Sequence, residues 1–178
     1  MPPSDDPDHI VGHDTMLVGW PWVGGTHSWL EPTALAVLAL RRAGLGEHPR
    51  VVEGVRLIHD RAIVTGGWNY GNKSAFGHPL RPQPGPTGLA LLALANRDGR
   101  TAIVEAAIRY LHETLPGVRA SASLGWGLLG LRAWRREPAG AEGWLAEAHR
   151  RATGRPDAAP KLALLLLAGG NHALHLFQ

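Results

Sequence analysis

The chain has 178 residues, of which 44% are apolar and 19% charged, with a net charge of +3 and no cysteine. This composition is typical of a folded domain with a hydrophobic core, and it excludes disulfides, thiolate nucleophiles and cysteine-based zinc sites. The positive charge forms no dense basic block, so nucleic acid is not an expected partner. We predict a single domain over 1–178, in which 1–18 form an irregular N-terminal segment.

The first predicted helix begins near Pro32 and carries the apolar run "TALAVLAL". Three later segments have the same form, with the runs "TGLALLAL", "LGWGLLGL" and "KLALLLLA" beginning after Pro86, Ser123 and Pro160. Because these runs are apolar on nearly every side, we expect four helices that are buried on most of their surface.

More polar stretches alternate with these runs, at 49–63, 101–115 and 139–152. Their apolar residues recur at steps of three and four, which indicates amphipathic helices. The alternation predicts an all-α fold of about seven helices, stacked as three and a half hairpins. The segment 66–85 is rich in Gly and Pro, so we expect a long loop there.

A second motif repeats with the helices. "GWPW" at 19–22 and "GWNY" at 67–70 are each Gly-Trp-x-aromatic, and each precedes a Pro-Thr helix start. Together with "VRLIHDRAIVTGGW" at 55–68, the pattern resembles the prenyltransferase and squalene-cyclase repeat superfamily. In that family an outer helix runs into a motif ending in Gly-x-Trp, matched here by Gly66 and Trp68, while Ala62 replaces the family's glutamine. The resemblance covers roughly 15–170 and implies an α/α toroid, of which seven helices make about half a ring.

The resemblance also implies a catalytic acid. The cyclase branch carries Asp-x-Asp-Asp-Thr-Ala at the head of an inner helix, and its middle aspartate protonates an alkene. Aligning Thr33 and Ala34 with that motif places Glu31 at the middle position, with Trp29 and Pro32 replacing the flanking aspartates. Aromatic faces that stabilise a carbocation, and one polar histidine, would line the site. The candidate substrate-binding residues are Trp20, Trp22, His27, Trp29, Trp68, Tyr70 and Trp126.

A structural alternative exists for the acid. A glutamate at a helix N-terminus interacts favourably with the helix dipole by about 0.3–1 kcal/mol, and this favours the ionised form rather than the protonated one. Glu31 is therefore either the acid of a site or a helix-start residue.

No cofactor or metal is expected. The prenyltransferase branch needs a zinc ion held by Asp, Cys and His, which the absence of cysteine excludes. The pairs His9–His13 and His172–His175 do not form a recognised ligand set. Two functions stay open: a terpene-cyclase-like protein acting on an isoprenoid or another apolar polycyclic precursor, or a non-catalytic isoprenoid-binding or assembly module that kept the repeat without the chemistry.

Partners and location follow from the same features. Three and a half hairpins leave two open ends, which predicts a two-fold homodimer. We find no leader sequence and no apolar run long enough to span a bilayer. We therefore expect a cytoplasmic protein, with peripheral membrane contact as an alternative location.

Overall fold

The computed structural model describes residues 12–75, 77–95, 99–170 and 173–177. Within these ranges the fold is all-α, as predicted. Its seven α-helices are α1 (Leu30–Arg42), α2 (Pro49–Asp60), α3 (Pro84–Leu94), α4 (Ala102–Thr114), α5 (Ser121–Ala133), α6 (Ala141–Ala152) and α7 (Ala158–Gly169). Short 3-10 turns cover Leu115–Gly117 and Ala173–Leu176.

The helices form hairpins in two rows. The apolar helices α1, α3, α5 and α7 pack side by side in chain order as an inner row, and the amphipathic helices α2, α4 and α6 pack against them as an outer row. Each predicted inner-row start proves to be the third residue of its helix, namely Pro32, Pro86, Ser123 and Pro160. The prediction of three and a half hairpins is confirmed.

The outer helices bury one face, and two of the three, α2 and α4, are capped by a side chain at their starts. In α2, Val51, Leu57 and Ile58 are buried. The N–H of Arg50 donates to Nδ1 of His48 at 3.2 Å. A side-chain acceptor at this position satisfies one of the backbone donors that the first helical turn leaves unpaired.

Helix α3 is the centre of the core, because all ten residues from 85 to 94 are buried. Its contact with α5 is made backbone to backbone. A Cβ added at Gly88 would lie 2.2 Å from the carbonyl oxygen of Trp126, and one added at Gly130 would lie 2.4 Å from the carbonyl oxygen of Gly88. No side chain fits at either crossing position, so glycine is required for the two helices to approach this closely.

The repeated Gly-Trp and Pro-Thr motifs form one hydrogen-bonded unit, which occurs twice. The N–H of Trp20 donates to Oγ1 of Thr33 at 2.9 Å, and this hydroxyl donates to the carbonyl oxygen of Trp20 at 3.4 Å. Trp68 and Thr87 make the same two bonds, at 2.9 and 3.2 Å. The threonine thus fixes the turn to the helix that follows it.

The glycine before each tryptophan belongs to the same unit. A Cβ at Gly19 would lie 2.3 Å from Oγ1 of Thr33, and one at Gly67 would lie 2.7 Å from Oγ1 of Thr87. The threonine hydroxyl can reach the turn only because these positions lack a side chain. This close approach explains why the sequence repeats Gly-Trp rather than tryptophan alone.

The loop between α2 and α3 is mostly irregular, as predicted. It contains one element that the sequence did not indicate, an antiparallel pair of two-residue strands, β1 (Ser74–Ala75) and β2 (His78–Pro79). The N-terminal segment is irregular over its described residues 12–18, and residues 1–11 of that prediction lie outside the described ranges.

The two ends of the inner row are α1 and α7. Leu166 of α7 is 70% exposed and Leu35 of α1 is 37% exposed. The homodimer that would cover these ends stays a prediction. Among the described residues, no helix combines the length and the apolar character that crossing a bilayer requires.

Candidate functional site

The two Gly-Trp units have different surroundings. The Trp68 side chain is fully buried, and its Nε1 donates to the carbonyl oxygen of Ile58, in the last turn of α2, at 2.6 Å. The Trp20 ring is half-buried, and the guanidinium of Arg50 lies 4.8 Å from its centroid. Trp68 therefore offers no surface to a ligand. The prediction that it binds substrate is corrected to a structural role.

Trp126 also lies away from the start of α1. It is half-buried on α5, and its ring meets Phe177 edge-on with centroids 6.4 Å apart. Its carbonyl oxygen belongs to the close contact with Gly88 of α3. Its place is the packing between inner helices.

The other predicted site residues lie around the start of α1. The N–H of Trp29 donates to the carbonyl oxygen of Trp20 at 3.1 Å, which pairs the two tryptophans across the loop. The N–H of Leu30 donates to the carbonyl oxygen of Tyr70 at 2.8 Å. Glu31 follows as the second residue of the helix. The structure thus brings together two segments that are 40 residues apart in the sequence.

This region exposes large aromatic side chains. We call Trp22, Trp29 and Tyr70 the aromatic face; they are 60%, 37% and 47% exposed. Val18 and Val23, on the same N-terminal part of the chain, are 52% and 66% exposed. Several exposed apolar side chains in one neighbourhood are typical of an interaction or ligand surface.

Glu31 is half-buried, and burial raises the pKa of its carboxyl group above the ordinary value. The dipole of α1 acts in the opposite direction, because the positive end of a helix favours the carboxylate. Desolvation raises the pKa because burial disfavours the charged form of a carboxyl group. The carboxyl group is therefore displaced towards the protonated form that an acid needs.

A cavity of about 430 Å³ opens beside Trp29. It lies between the N-terminal segment, the loop before α1, the end of α2 and the long loop. Most of its lining side chains are polar: His13, Thr15, Thr26, His27, Ser28, Arg61 and Asn72. Its apolar wall is formed by Leu17, Val18 and Trp29. Two of the predicted binding residues, His27 and Trp29, thus share one cavity.

Arg61 is the unexpected residue of this cavity. It directly follows the last residue of α2, and its side chain is buried. Burial lowers the pKa of its guanidinium to about 10, so it is still charged at neutral pH. An arginine at a helix C-terminus usually interacts with the helix dipole at the surface, so the sequence did not mark it as a site residue. His13 lines the same cavity; from the sequence it was considered only with His9, as a possible metal-binding pair.

The described residues contain no group of three or more His, Asp or Glu side chains placed to hold a metal ion. His9 and His172 lie outside the described residues, so the two histidine pairs considered from the sequence are not described. Among the described residues that line the cavity, Arg61 is the one with a formal charge.

The chain was compared with models of protein families, with curated proteins and with solved structures, and no match was found in any of the three. The resemblance to the cyclase repeat therefore stays a prediction based on the Gly-Trp motifs and the Leu/Ala runs. The surface around Trp29, with its cavity, is the feature from which a function can be proposed.

Proposed function

We propose that the protein is a cytoplasmic, non-catalytic binding module that holds an isoprenoid or a similarly apolar ligand on the aromatic face at the start of α1. The observation that carries the proposal is the cavity of about 430 Å³ beside the partly exposed Trp29. Cavities of several hundred Å³ are typical of small-molecule sites, and Leu17, Val18 and Trp29 supply the apolar part of the lining here.

The inner row itself supports binding at its end rather than at its centre. The backbones of α3 and α5 are in contact at Gly88 and Gly130, so no ligand fits between these two helices. The aromatic face, in contrast, is open to solvent. Covering a large part of one exposed tryptophan removes apolar surface from water and contributes about 1.5–3 kcal/mol.

A titration followed by amide NMR tests this proposal. Farnesol, delivered from cyclodextrin, should shift the signals of residues in 13–29 and 69–72 and leave those of α3 and α5 unchanged. Trp29→Ala should weaken binding by at least about fivefold, because it removes the aromatic wall of the cavity. Trp144→Ala is the matched control, since Trp144 is half-buried on α6 and lines a different cavity. Absence of any shift up to the solubility limit would overturn the proposal, and so would equal effects of the two variants.

The raised pKa of Glu31 favours a second function, protonation-initiated cyclisation of a polyprenyl substrate. In this proposal the Glu31 carboxylic acid gives its proton to a terminal alkene carbon, the adjacent carbon becomes a carbocation, and the neighbouring aromatic faces stabilise it. Glu31 stands at the position that the alignment with the cyclase motif assigns to the acid, and Trp29 is two residues before it in the sequence.

Mass spectrometry of extracts from cells that express the protein distinguishes the two functions. A cyclised isoprenoid that is formed by the wild type and lost in Glu31→Gln, with folding retained, would support the cyclase. No product from the wild type with substrates of several chain lengths leaves the binding module as the function. A product that persists in Glu31→Gln would exclude Glu31 as the acid.

A further inference from the structure

We propose that the cavity beside Trp29 is an oxyanion-binding site, in which the guanidinium of Arg61 takes a carboxylate or phosphate group of a small ligand. This proposal is independent of the proposed binding of an isoprenoid. It can be tested with inorganic phosphate or acetate, which have no large apolar part.

The first reason is the hydrogen bonding of Arg61. The residue is 4% exposed. Its Nη2 reaches the carbonyl oxygen of Asp14 at 3.5 Å, a long hydrogen bond. In the described part of the chain, its Nε and Nη1 have no hydrogen-bond partner. A buried guanidinium with so few acceptors is unfavourable. Arg61 lines the cavity, so an oxyanion that enters it and reaches the guanidinium would supply an acceptor.

The second reason is the distribution of charge. Asp60 is the carboxylate beside Arg61, and its Oδ2 lies 3.9 Å from Nη1, beyond hydrogen-bond distance. The same carboxylate accepts from the N–H of Asp14 at 3.2 Å and from Nζ of Lys73 at 3.4 Å. This carboxylate thus accepts hydrogen bonds from two other groups, and it is not paired with Arg61 alone. None of the described residues that line the cavity is acidic, so its one formal charge is the positive charge of Arg61.

Two further polar residues line the same cavity, His13 and Ser28. Nδ1 of His13 is buried and has no hydrogen-bond partner within the described ranges. Oγ of Ser28 accepts from the N–H of Gly19 at 2.9 Å, and a hydroxyl that accepts one bond still has its own proton to donate. Both residues line the cavity with Arg61. A cation with an imidazole and a hydroxyl beside it is a donor set that suits the oxygens of carboxylate or phosphate.

The apolar wall indicates what the anion is attached to. Leu17, Val18 and Trp29 also line the cavity, and Trp29 belongs to the aromatic face. A ligand that uses both kinds of lining has an oxyanion, held by Arg61, and an apolar body. Inorganic anions should therefore bind through the Arg61 end alone.

The test uses sodium phosphate and sodium acetate as probes at constant ionic strength, with sodium chloride as the reference. Each anion is titrated into the wild-type protein while the Nε–H signal of Arg61 and the amide signals of 13–29 are followed by NMR. We expect saturable shifts of the Arg61 signal with phosphate or acetate and none with chloride. The probe that binds more tightly identifies the preferred oxyanion. An Arg61 signal that does not move with either probe, or that moves equally with chloride, would overturn the proposal.

Two variants give an independent readout. Arg61→Gln should weaken binding at least about tenfold, because hydrogen bonds to a charged partner are the strong ones. Arg132→Gln is the matched control: its guanidinium bonds to Glu137 and, at 2.7 Å, to the carbonyl oxygen of Gly170, so it has no nitrogen open to a ligand in the described structure. Unchanged affinity in Arg61→Gln would contradict the proposal. If Arg61→Gln does not fold, the shift of the Nε–H signal in the wild type decides alone.

Discussion

The two Gly-Trp units of this protein use the same hydrogen bonds in opposite surroundings. Around Trp68 and Thr87 the unit is closed, because α3 lies between α1 and α5 and the indole is enclosed in the core. Around Trp20 and Thr33 the unit is open, because α1 is the first helix of the described inner row. The same sequence motif is thus purely structural where helices pack on both sides, and borders a cavity where they pack on one side.

The residues that differ between the copies agree with this difference. Where the open copy has Glu31, the closed copy has Gly85, and a Cβ there would already lie 3.5 Å from Oγ of Ser123 on α5. Where the open copy has Ala34, the closed copy has Gly88, which contacts α5 through its backbone. The start of α1 thus accommodates a half-buried carboxylate, whereas the equivalent position of α3 faces α5.

The largest effect should come from Gly88→Ala, which gives the closed copy the residue of the open one. The added Cβ would meet backbone atoms of α5 at 2.2 to 2.5 Å, and backbone cannot move aside as a flexible side chain can. We expect a loss of at least about 3 kcal/mol in the free energy of unfolding, measured with urea.

Gly143→Ala is the control for this change. Gly143 lies in α6, and in the described structure nothing is found within 4 Å of a Cβ at this position. The substitution should raise the free energy of unfolding by about 0.5–1 kcal/mol, because alanine is the better helix residue. A Gly88→Ala variant that loses less than about 1 kcal/mol would show that α3 and α5 are not in backbone contact.

The two tryptophans should differ strongly when truncated. Trp68→Ala removes a fully buried ring and its hydrogen bond to Ile58, so the expected loss is about 3–5 kcal/mol. Trp20→Ala removes a half-buried ring that packs under Arg50 and should cost less than half as much. Thermal and urea unfolding of the two variants measure this difference. Equal losses would mean that the open copy is as enclosed as the closed one.

The two threonines should, in contrast, behave alike. Thr33→Val and Thr87→Val keep the shape of the side chain and leave the N–H of the tryptophan without its acceptor, which should cost about 1–3 kcal/mol in each case. Thr153→Val is the control, because that hydroxyl is exposed and water replaces its bond to His149, so we expect a change within about 0.5 kcal/mol. A large effect at Thr87 with none at Thr33 would show that the open unit is not held by its threonine.

Much of the fold could be predicted because the signals are local. The apolar runs predicted the helices of the inner row. Their predicted starts at Pro32 and Pro86 are each the third residue of the helix. The strand pair β1–β2 was missed, since two-residue strands are too short to show an alternating pattern. Whether a helix is apolar or amphipathic, and where it stands in the chain, can be read from the periodicity within one segment of a single sequence.

The site was only partly predictable for a physical reason. His27 and Trp29 were found because they flank the repeated motif. Arg61 was missed, and His13 was considered only as part of a metal pair, because the cavity that they share is lined by chain segments almost 50 residues apart and no local pattern records it. Trp68 was assigned to substrate because the sequence makes the two Gly-Trp copies look equivalent, whereas burial depends on which helices pack beside them.

The smallest expected effect distinguishes the two interpretations of Glu31. Since burial raises the pKa of this carboxyl group in the folded state, ionised Glu31 is less favourable in the folded than in the unfolded chain. This penalty is fully present above the folded-state pKa and disappears as the pH falls below the ordinary value of 4.5. Glu31→Gln should therefore stabilise the protein near pH 7, by less than about 1 kcal/mol because the group is partly solvated, and the gain should vanish below about pH 4.

Glu142→Gln should change the free energy of unfolding in the opposite direction at neutral pH, and it serves as the control for this test. Glu142 is exposed in the first turn of α6, where the helix dipole favours a negative charge by about 0.3–1 kcal/mol, so its replacement should destabilise slightly at neutral pH. Urea unfolding of both variants from pH 3.5 to 7.5 measures the two signs. If Glu31→Gln also destabilises at pH 7, the dipole outweighs desolvation at the start of α1. Glu31 would then be an ordinary helix-start residue, and the cyclase proposal would lose the acid on which it depends.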